Sequence, residues 1–268
     1  MGVVNVTPDS FSDGGLFLDP VAAIAHGLEL VDEGAEILDV GGESTRPGAA
    51  PVGAAEELRR VLPVVEGLAA QTPLTISIDT SKASVARAAL EAGASLVNDV
   101  TALRGDPEMV AVVAQGGAEC CLMHMRGEPR TMQQAPRYDD VVAEVKAFLE
   151  ERLAFAVVEG VAEERVLLDP GIGFGKTLAH NLELLRRLGE LAALGRPLVV
   201  GTSRKSFLGR LLADAAGRAE RVSTEGRLPG TIATCVLAYE RGATVLRVHD
   251  VAPVRAALVV AAATLGAP

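Results

Sequence analysis

Eight short runs rich in Val, Ile and Leu each end in a side chain able to hydrogen bond or ionise: Asn5, Asp39, Asp79, Asn98, His124, Asp169, Ser203 with Lys205, and Arg247 with His249. Taken singly, a residue such as Asp39 or His124 reads as a polar group where a strand leaves for solvent. Gathered at one mouth, two Asp, an Asn and a Lys supply both donors and acceptors. A carboxylate accepts two parallel N–H bonds, and an amide offers one donor and one acceptor face. That set suits a flat heterocycle with an amidine-like edge better than a sugar or an acyl chain. A second set is cationic: Arg46, Arg204, Lys205, Arg247 and His249. Arginine supplies the planar fork that oxyanions need, so this local excess in an acidic chain points to a phosphate group.

Two nucleotide-binding patterns are approached and missed. The run Asp169-Pro170-Gly171-Ile172-Gly173-Phe174-Gly175-Lys176-Thr177 ends in Gly-Lys-Thr, but a phosphate-binding loop would require Gly where Pro170 stands. The dinucleotide fingerprint fails too, because the third Gly falls at 175 instead of 176. A glycine-rich turn that lets a ligand ring approach the backbone fits better. The histidines, His26, His124, His180 and His249, have no metal-site spacing, and His26 and His180 read as surface residues of helices.

The elements that must position these groups recur as a unit: a β-branched run, a polar end, a Gly-rich loop, then an amphipathic Ala/Leu helix. The expected strands are Gly2–Asn5, Ile37–Val40, Thr75–Asp79, Leu96–Asn98, Glu119–His124, Val166–Asp169, Leu198–Thr202 and Thr244–His249. Apolar stripes at helical spacing run through Ile24, Leu28 and Val31, through Val141, Val145 and Phe148, and through Leu178, Leu182 and Leu185. Gly34, Gly93, Gly116, Gly160 and Gly242 stand where such helices should stop. Strict alternation predicts a parallel sheet, and eight units in 268 residues favour a closed (β/α)8 TIM barrel over an open doubly wound sheet. The expectation is a single domain over 1–268 with its site at the C-terminal ends of the strands. Two loops, Val6 to Asp19 and Gly41 to Gly53, are long and rich in Gly, Pro, Ser and Asp, as lids and binding loops are.

Composition removes several classes. With 25 Lys and Arg against 35 Asp and Glu, the net charge of −10 argues against a general nucleic-acid surface. The first residues carry no basic, then apolar, leader, and the most apolar stretch, Ala256 to Ala267, is shorter than the ~20 residues that span a bilayer. No membrane partner is expected. Three cysteines without a CxxC build neither a disulfide framework nor a zinc ribbon, which suits a cytoplasmic protein.

Nearly the whole chain resembles the dihydropteroate synthases, folate-pathway members of the pterin-binding barrel enzymes. The resemblance rests first on Asn5-Val6-Thr7-Pro8-Asp9-Ser10-Phe11-Ser12-Asp13-Gly14-Gly15 and Asp39-Val40-Gly41-Gly42-Glu43-Ser44-Thr45-Arg46-Pro47-Gly48. Ile78-Asp79-Thr80, Asn98-Asp99, Met123-His124-Met125, Asp169-Pro170-Gly171, Ser203-Arg204-Lys205-Ser206 and Arg247-Val248-His249-Asp250 follow in family order. It implies condensation of 6-hydroxymethyl-7,8-dihydropterin diphosphate with p-aminobenzoate, giving 7,8-dihydropteroate and pyrophosphate.

By position, the resemblance implies that Asp79, Asn98, Met123, Asp169, Gly201 and Lys205 hold the pterin. Asn5, Thr45, Arg46, Arg247 and His249 would receive the diphosphate, and Asn5 would help to hold Mg2+. Pro47, Phe174, Ser203 and Lys205 would shape the p-aminobenzoate site, where sulfonamides would compete. Asp79, Lys205, Arg247 and His249 would carry the catalysis, and the enzyme would be a homodimer. One departure is that the family usually has further residues before the Asn-Val-Thr-Pro segment. A methyltetrahydrofolate-binding methyltransferase would share the pterin carboxylates but has no use for the cationic set. A non-catalytic pterin-binding barrel could lose that set, yet every matched position is present.

Overall fold

The computed structural model describes residues 1–7, 19–45, 49–127 and 131–266. Eight strands form: β1 (Gly2–Asn5), β2 (Ile37–Gly41), β3 (Thr75–Asp79), β4 (Leu96–Asp99), β5 (Glu119–Met123), β6 (Val166–Asp169), β7 (Val199–Val200) and β8 (Val245–Leu246). Strands β1 to β6 pair in chain order and in parallel, with Asp39 opposite Ser77 and Asp79 opposite Asn98. Single bridges complete the ring. Leu168 lies opposite Leu198, β7 pairs with β8, and Gly2 lies opposite Val248, with Val3 N donating to Val248 O at 3.1 Å. The architecture is the expected (β/α)8 barrel.

The last two strands are shorter than the sequence predicts because side chains take over part of their ladder. Leu198 N donates to Thr244 Oγ1 at 2.9 Å, and the Thr202 carbonyl is already turning, accepting from Lys205 N at 3.2 Å.

Around the strands run α1 (Pro20–Asp32), α2 (Ala54–Ala69), α3 (Ala83–Glu91), α4 (Met109–Gly116), α5 (Val141–Val158), α6 (Leu178–Arg186), α7 (Gly189–Ala192), α8 (Ser206–Ala215), α9 (Leu228–Glu240) and α10 (Val251–Leu265). The predicted stripes of α1, α5 and α6 lie against the core. Asp19 caps α1, Asp140 caps α5, and Thr177 with His180 forms a capping box on α6. His180 and His26 are half-buried rather than on the surface. At α4 the left-handed stop is Gly117, one residue beyond the expected Gly116.

Strand side chains alternate between two faces, and this parity sets the site. Residues 39 and 41, 77 and 79, 96 and 98, 121 and 123, 167 and 169, and 199 and 201 share the face that includes the apolar plug of Leu96, Cys121, Leu167 and Val199. The opposite parity, with Leu38, Val40, Ile76, Ile78, Val97, Leu122 and Leu168, packs into the main core with the helices. Above the plug the inward positions turn polar.

Candidate functional site

The inward polar groups and the loops above them line an open cleft of about 1180 Å3. Bonded behind its lining residues is Asp39, whose side chain is fully buried. Asp39 accepts from Ser77 Oγ at 2.6 Å, Asn98 Nδ2 at 3.2 Å and Arg247 Nε at 2.6 Å. Arg247 Nη2 also donates to Asp79 Oδ2 at 2.9 Å, so one guanidinium joins carboxylates from β2 and β3. Burial pushes the Asp79 carboxyl up to about 7; Arg247 opposes that rise and Asp39 adds to it. Burial disfavours the Arg247 charge, but Asp39 and Asp79 outweigh it and hold its pKa above the usual arginine value.

The opposite wall comes from β6 and the Gly-rich loop after it. Asp169 Oδ1 accepts from Gly171 N at 2.6 Å, and burial raises its pKa against the opposing charge of Lys205. Lys205 donates to the Ile172 carbonyl, and its ammonium lies 4.7 Å from the centroid of the Phe174 ring. Burial lowers the Lys205 pKa to about 8, with Asp169 resisting and Arg247 assisting. Gly171 is left-handed at φ 65°, and a Cβ there would lie 1.9 Å from the His124 carbonyl oxygen. Only glycine lets this loop pass so close to β5.

At the rim, Ser203 Oγ and His249 Nδ1 are 2.9 Å apart, and His249 N donates to Ser203 Oγ at 3.1 Å. Arg204, left-handed at φ 56°, bonds to Asp250 through Nε at 2.9 Å and Nη2 at 2.5 Å, and its N donates to Thr231 Oγ1. These bonds tie the loop after β7 to the end of β8. Asn5, Thr45, Met123 and Gly201 complete the cleft, which contains every described residue of the three expected ligand sets. Arg46 and Pro47 lie outside the described residues, as does most of the first long loop.

Two expectations are corrected. Asp39 does not exit into solvent, because β2 continues to Gly41 and its parity turns Asp39 inward. His124 is not at the mouth either: β5 ends at Met123, an inward position, so His124 faces the helix layer. There it meets Phe148 edge-on at 4.9 Å and is 6% exposed. Burial, helped by Lys176, lowers its pKa to about 2.

Lys176 is given no role by the sequence, where it stands in the failed phosphate loop and in the family-matching run Gly173-Phe174-Gly175-Lys176. Its buried amine reaches His124 Nδ1, Gly171 O and Phe174 O, each at 2.9 Å, so it fastens the β6 loop to β5. Burial pushes its pKa well below the lysine value. A lysine inside so glycine-rich a turn was the available signal.

Chemically, the cleft offers acceptors at Asp79 and Asp169, an amide at Asn98, a donor at Lys205, a cation at Arg247 and an imidazole at His249. Among the described residues, no group of three or more His, Cys, Asp or Glu could hold a metal ion. A metal here would need ligands from its substrate, and Asn5, at the end of β1, offers an oxygen of the kind Mg2+ prefers.

Comparison with known proteins agrees with this chemistry. Residues 1–249 match the family model described as pterin binding enzyme. Dihydropteroate synthase of Escherichia coli strain K12 is 48% identical over 267 residues, spanning 100% of this chain and 92% of that protein. The crystal structure of Yersinia pestis dihydropteroate synthase in a sulfonamide drug complex superposes with a TM-score of 0.94 at 45% identity, covering 100% of this chain and 94% of that one. Xanthomonas albilineans dihydropteroate synthase with 4-aminobenzoic acid gives a TM-score of 0.91 at 51% identity, covering 100% and 93%.

Proposed function

This chain belongs to the pterin binding enzyme family, and from that premise we propose that it is a dihydropteroate synthase. It joins 6-hydroxymethyl-7,8-dihydropterin diphosphate to p-aminobenzoate, forming 7,8-dihydropteroate and pyrophosphate in folate biosynthesis. The observation that carries the reading is one cleft in which a heterocycle-binding set (Asp79, Asn98, Asp169, Lys205) meets an oxyanion-binding set (Arg247, His249). A methyltransferase acting on a reduced folate has no pyrophosphate for the second set to receive.

Asp169 accepts from the pterin 2-amino group and the adjacent ring N–H, while Lys205 donates to the acceptor edge. Asn98 and Asp79 take the remaining polar edge, with Met123 and Gly201 lining the slot. Asn5, Thr45, Arg46, Arg247 and His249 receive the diphosphate. Phe174 and Pro47 flank the p-aminobenzoate ring, and Ser203 with the start of α8 meets its carboxylate. Arg46 and Pro47 enter from the family resemblance alone.

The bond from the exocyclic methylene to the diphosphate oxygen breaks first, taking its electron pair to pyrophosphate. The aniline nitrogen then bonds to the methylene and gives up its proton to the released pyrophosphate or to bulk water. Arg247, His249 and Arg46 neutralise the departing charge, and ionised Asp79 stabilises the cation left on the pterin. Asn5 would help to hold Mg2+, which when bound would supply positive charge at the leaving group. The two long loops exclude water from the cation.

The enzyme works in the cytoplasm, which suits Cys120, Cys121 and Cys235, all buried and unpaired. Among the described residues no helix is long and apolar enough to cross a membrane. The chain forms one domain over 1–268.

Calorimetry with pyrophosphate and Mg2+ present tests the second-substrate site. p-Aminobenzoate is expected to bind and to be displaced by a sulfonamide. Absence of p-aminobenzoate binding under these conditions would return the chain to a pterin-binding role without the synthase step.

A further inference from the structure

Asp39 carries no role in the reaction as set out above, yet it is bonded to two residues that line the cleft, Asn98 and Arg247. Its three bonds come from β3, β4 and β8, and two of its partners, Asn98 and Arg247, belong to different substrate sets. A buried carboxylate is costly unless its oxygens are satisfied, and here every bond is to a group that meets ligand or braces the acid.

We propose that Asp39 is a positioning residue that sets both substrate-binding groups at once, an inference that rests on the synthase reading. Toward Asn98 it acts as a fixed acceptor. The Asn98 amide nitrogen donates one N–H to Asp39 Oδ2, which fixes the orientation of the amide and leaves its oxygen and its second N–H to face the cleft. The amide therefore meets the pterin in one fixed orientation.

Toward Arg247 it acts as a tether. The guanidinium is held at Nε by Asp39 and at Nη2 by Asp79. In the proposed reaction Asp79 serves the pterin and Arg247 the diphosphate, and one bond, from Arg247 Nη2 to Asp79 Oδ2, joins them in the ligand-free cleft. The bond to Asp39 keeps Arg247 in the cleft while its outer nitrogens pass from Asp79 to the diphosphate. Ser77 supports this by occupying Oδ1 at 2.6 Å, which leaves Oδ2 for the two substrate groups.

The test is Asp39→Asn in the full chain, with calorimetry of two separate probes: 6-hydroxymethyl-7,8-dihydropterin, which lacks the diphosphate, and pyrophosphate with Mg2+. Asparagine removes the negative charge from the bonds to both Asn98 and Arg247, even where its one amide oxygen takes the place of Oδ2. Both affinities should fall, each by about 10- to 100-fold, as expected for losing a charge-assisted bond. The KM for p-aminobenzoate should stay within about 2-fold, a split that general loosening of the fold would not produce.

Double-mutant cycles locate the effect. In an Asn98→Ala background, Asp39→Asn should weaken the pterin probe no further. In an Arg247→Ala background, it should weaken pyrophosphate no further. A folded Asp39→Asn protein that binds both probes like the wild type, or effects that simply add, would overturn the proposal. If Asp39→Asn does not fold, Ser77→Ala carries the test: it should weaken both probes in the same sense, and unchanged affinities in that folded variant would be equally decisive. If the wild type binds neither probe, it is the synthase reading that fails.

Discussion

Two side chains of the cleft titrate near neutrality, and they do so in opposite senses. In the proposed reaction Asp79 must be ionised to stabilise a cation, and burial sets its pKa at about 7. Lys205 must be protonated to donate to the pterin, and burial sets its pKa at about 8. For the free enzyme, kcat/KM for the pterin substrate should rise through pH 7 and fall above pH 8, a narrow bell. Lys205→Arg should move the falling limb beyond the measurable range, since guanidinium does not titrate there. A falling limb left in place in that variant would remove Lys205 from the pterin site. Lys205→Ala should raise the Kd for the pterin, whereas Arg247→Ala should slow turnover more than it weakens p-aminobenzoate binding; steady-state kinetics of the two variants separate these outcomes. The Asp79 shift also has a sign in stability. The folded carboxyl keeps its proton to about 7, while the unfolded one loses it near 3.8, so its contribution is complete below 3.8 and is lost as pH rises through about 7. Relative to Asp79→Asn, the ligand-free wild type should therefore lose stability between pH 4 and 7, as read by urea midpoints at each pH.

The β6 loop shows how one segment carries several groups together. Asp169 fixes its first turn, Lys176 gathers the Gly171 and Phe174 carbonyls, and Lys205 reaches the Ile172 carbonyl from the next loop. Gly171→Ala would drive a methyl into the His124 carbonyl at 1.9 Å, so the loop must shift. A loss of roughly 1–3 kcal/mol on urea unfolding, with a raised pterin KM, is expected. Much of this was legible in the sequence. The β-branched runs located the strands, the turn glycines located their exits, and residue types at those exits named the chemistry. What the sequence left open was parity. Asp39 and His124 both stand near strand ends, but only the register, with β2 running to Gly41 and β5 stopping at Met123, decides which face each takes. Shared bonds are likewise invisible in sequence: Arg247 lies far along the chain from Asp39 and Asp79, and only barrel closure through the Gly2–Val248 bridge brings β8 beside β1.

The closed ring also explains why so acidic a molecule can receive a diphosphate. Its net charge is −10, yet Arg247 and His249 at the end of β8 and Lys205 after β7 converge on the mouth where β1 and β2 also end. On the outside, Leu237 of α9 and Val259, Val260 and Leu265 of α10 are 39%, 61%, 66% and 51% exposed. We propose that these side chains join two copies of the chain through the paired α9 and α10, as the family resemblance implies a homodimer. Light scattering should give twice the 27.7 kDa chain mass, and Val259→Asp with Val260→Asp should give one. A double variant that stays dimeric would place the interface elsewhere.

The most direct test of the reaction is to incubate the purified chain with 6-hydroxymethyl-7,8-dihydropterin diphosphate and Mg2+, with and without p-aminobenzoate, and to follow pyrophosphate and dihydropteroate together. The two products are expected in equal amounts, with dihydropteroate formed only when p-aminobenzoate is present. Binding of the pterin with neither product appearing would contradict the synthase account and leave a pterin-binding barrel without this chemistry.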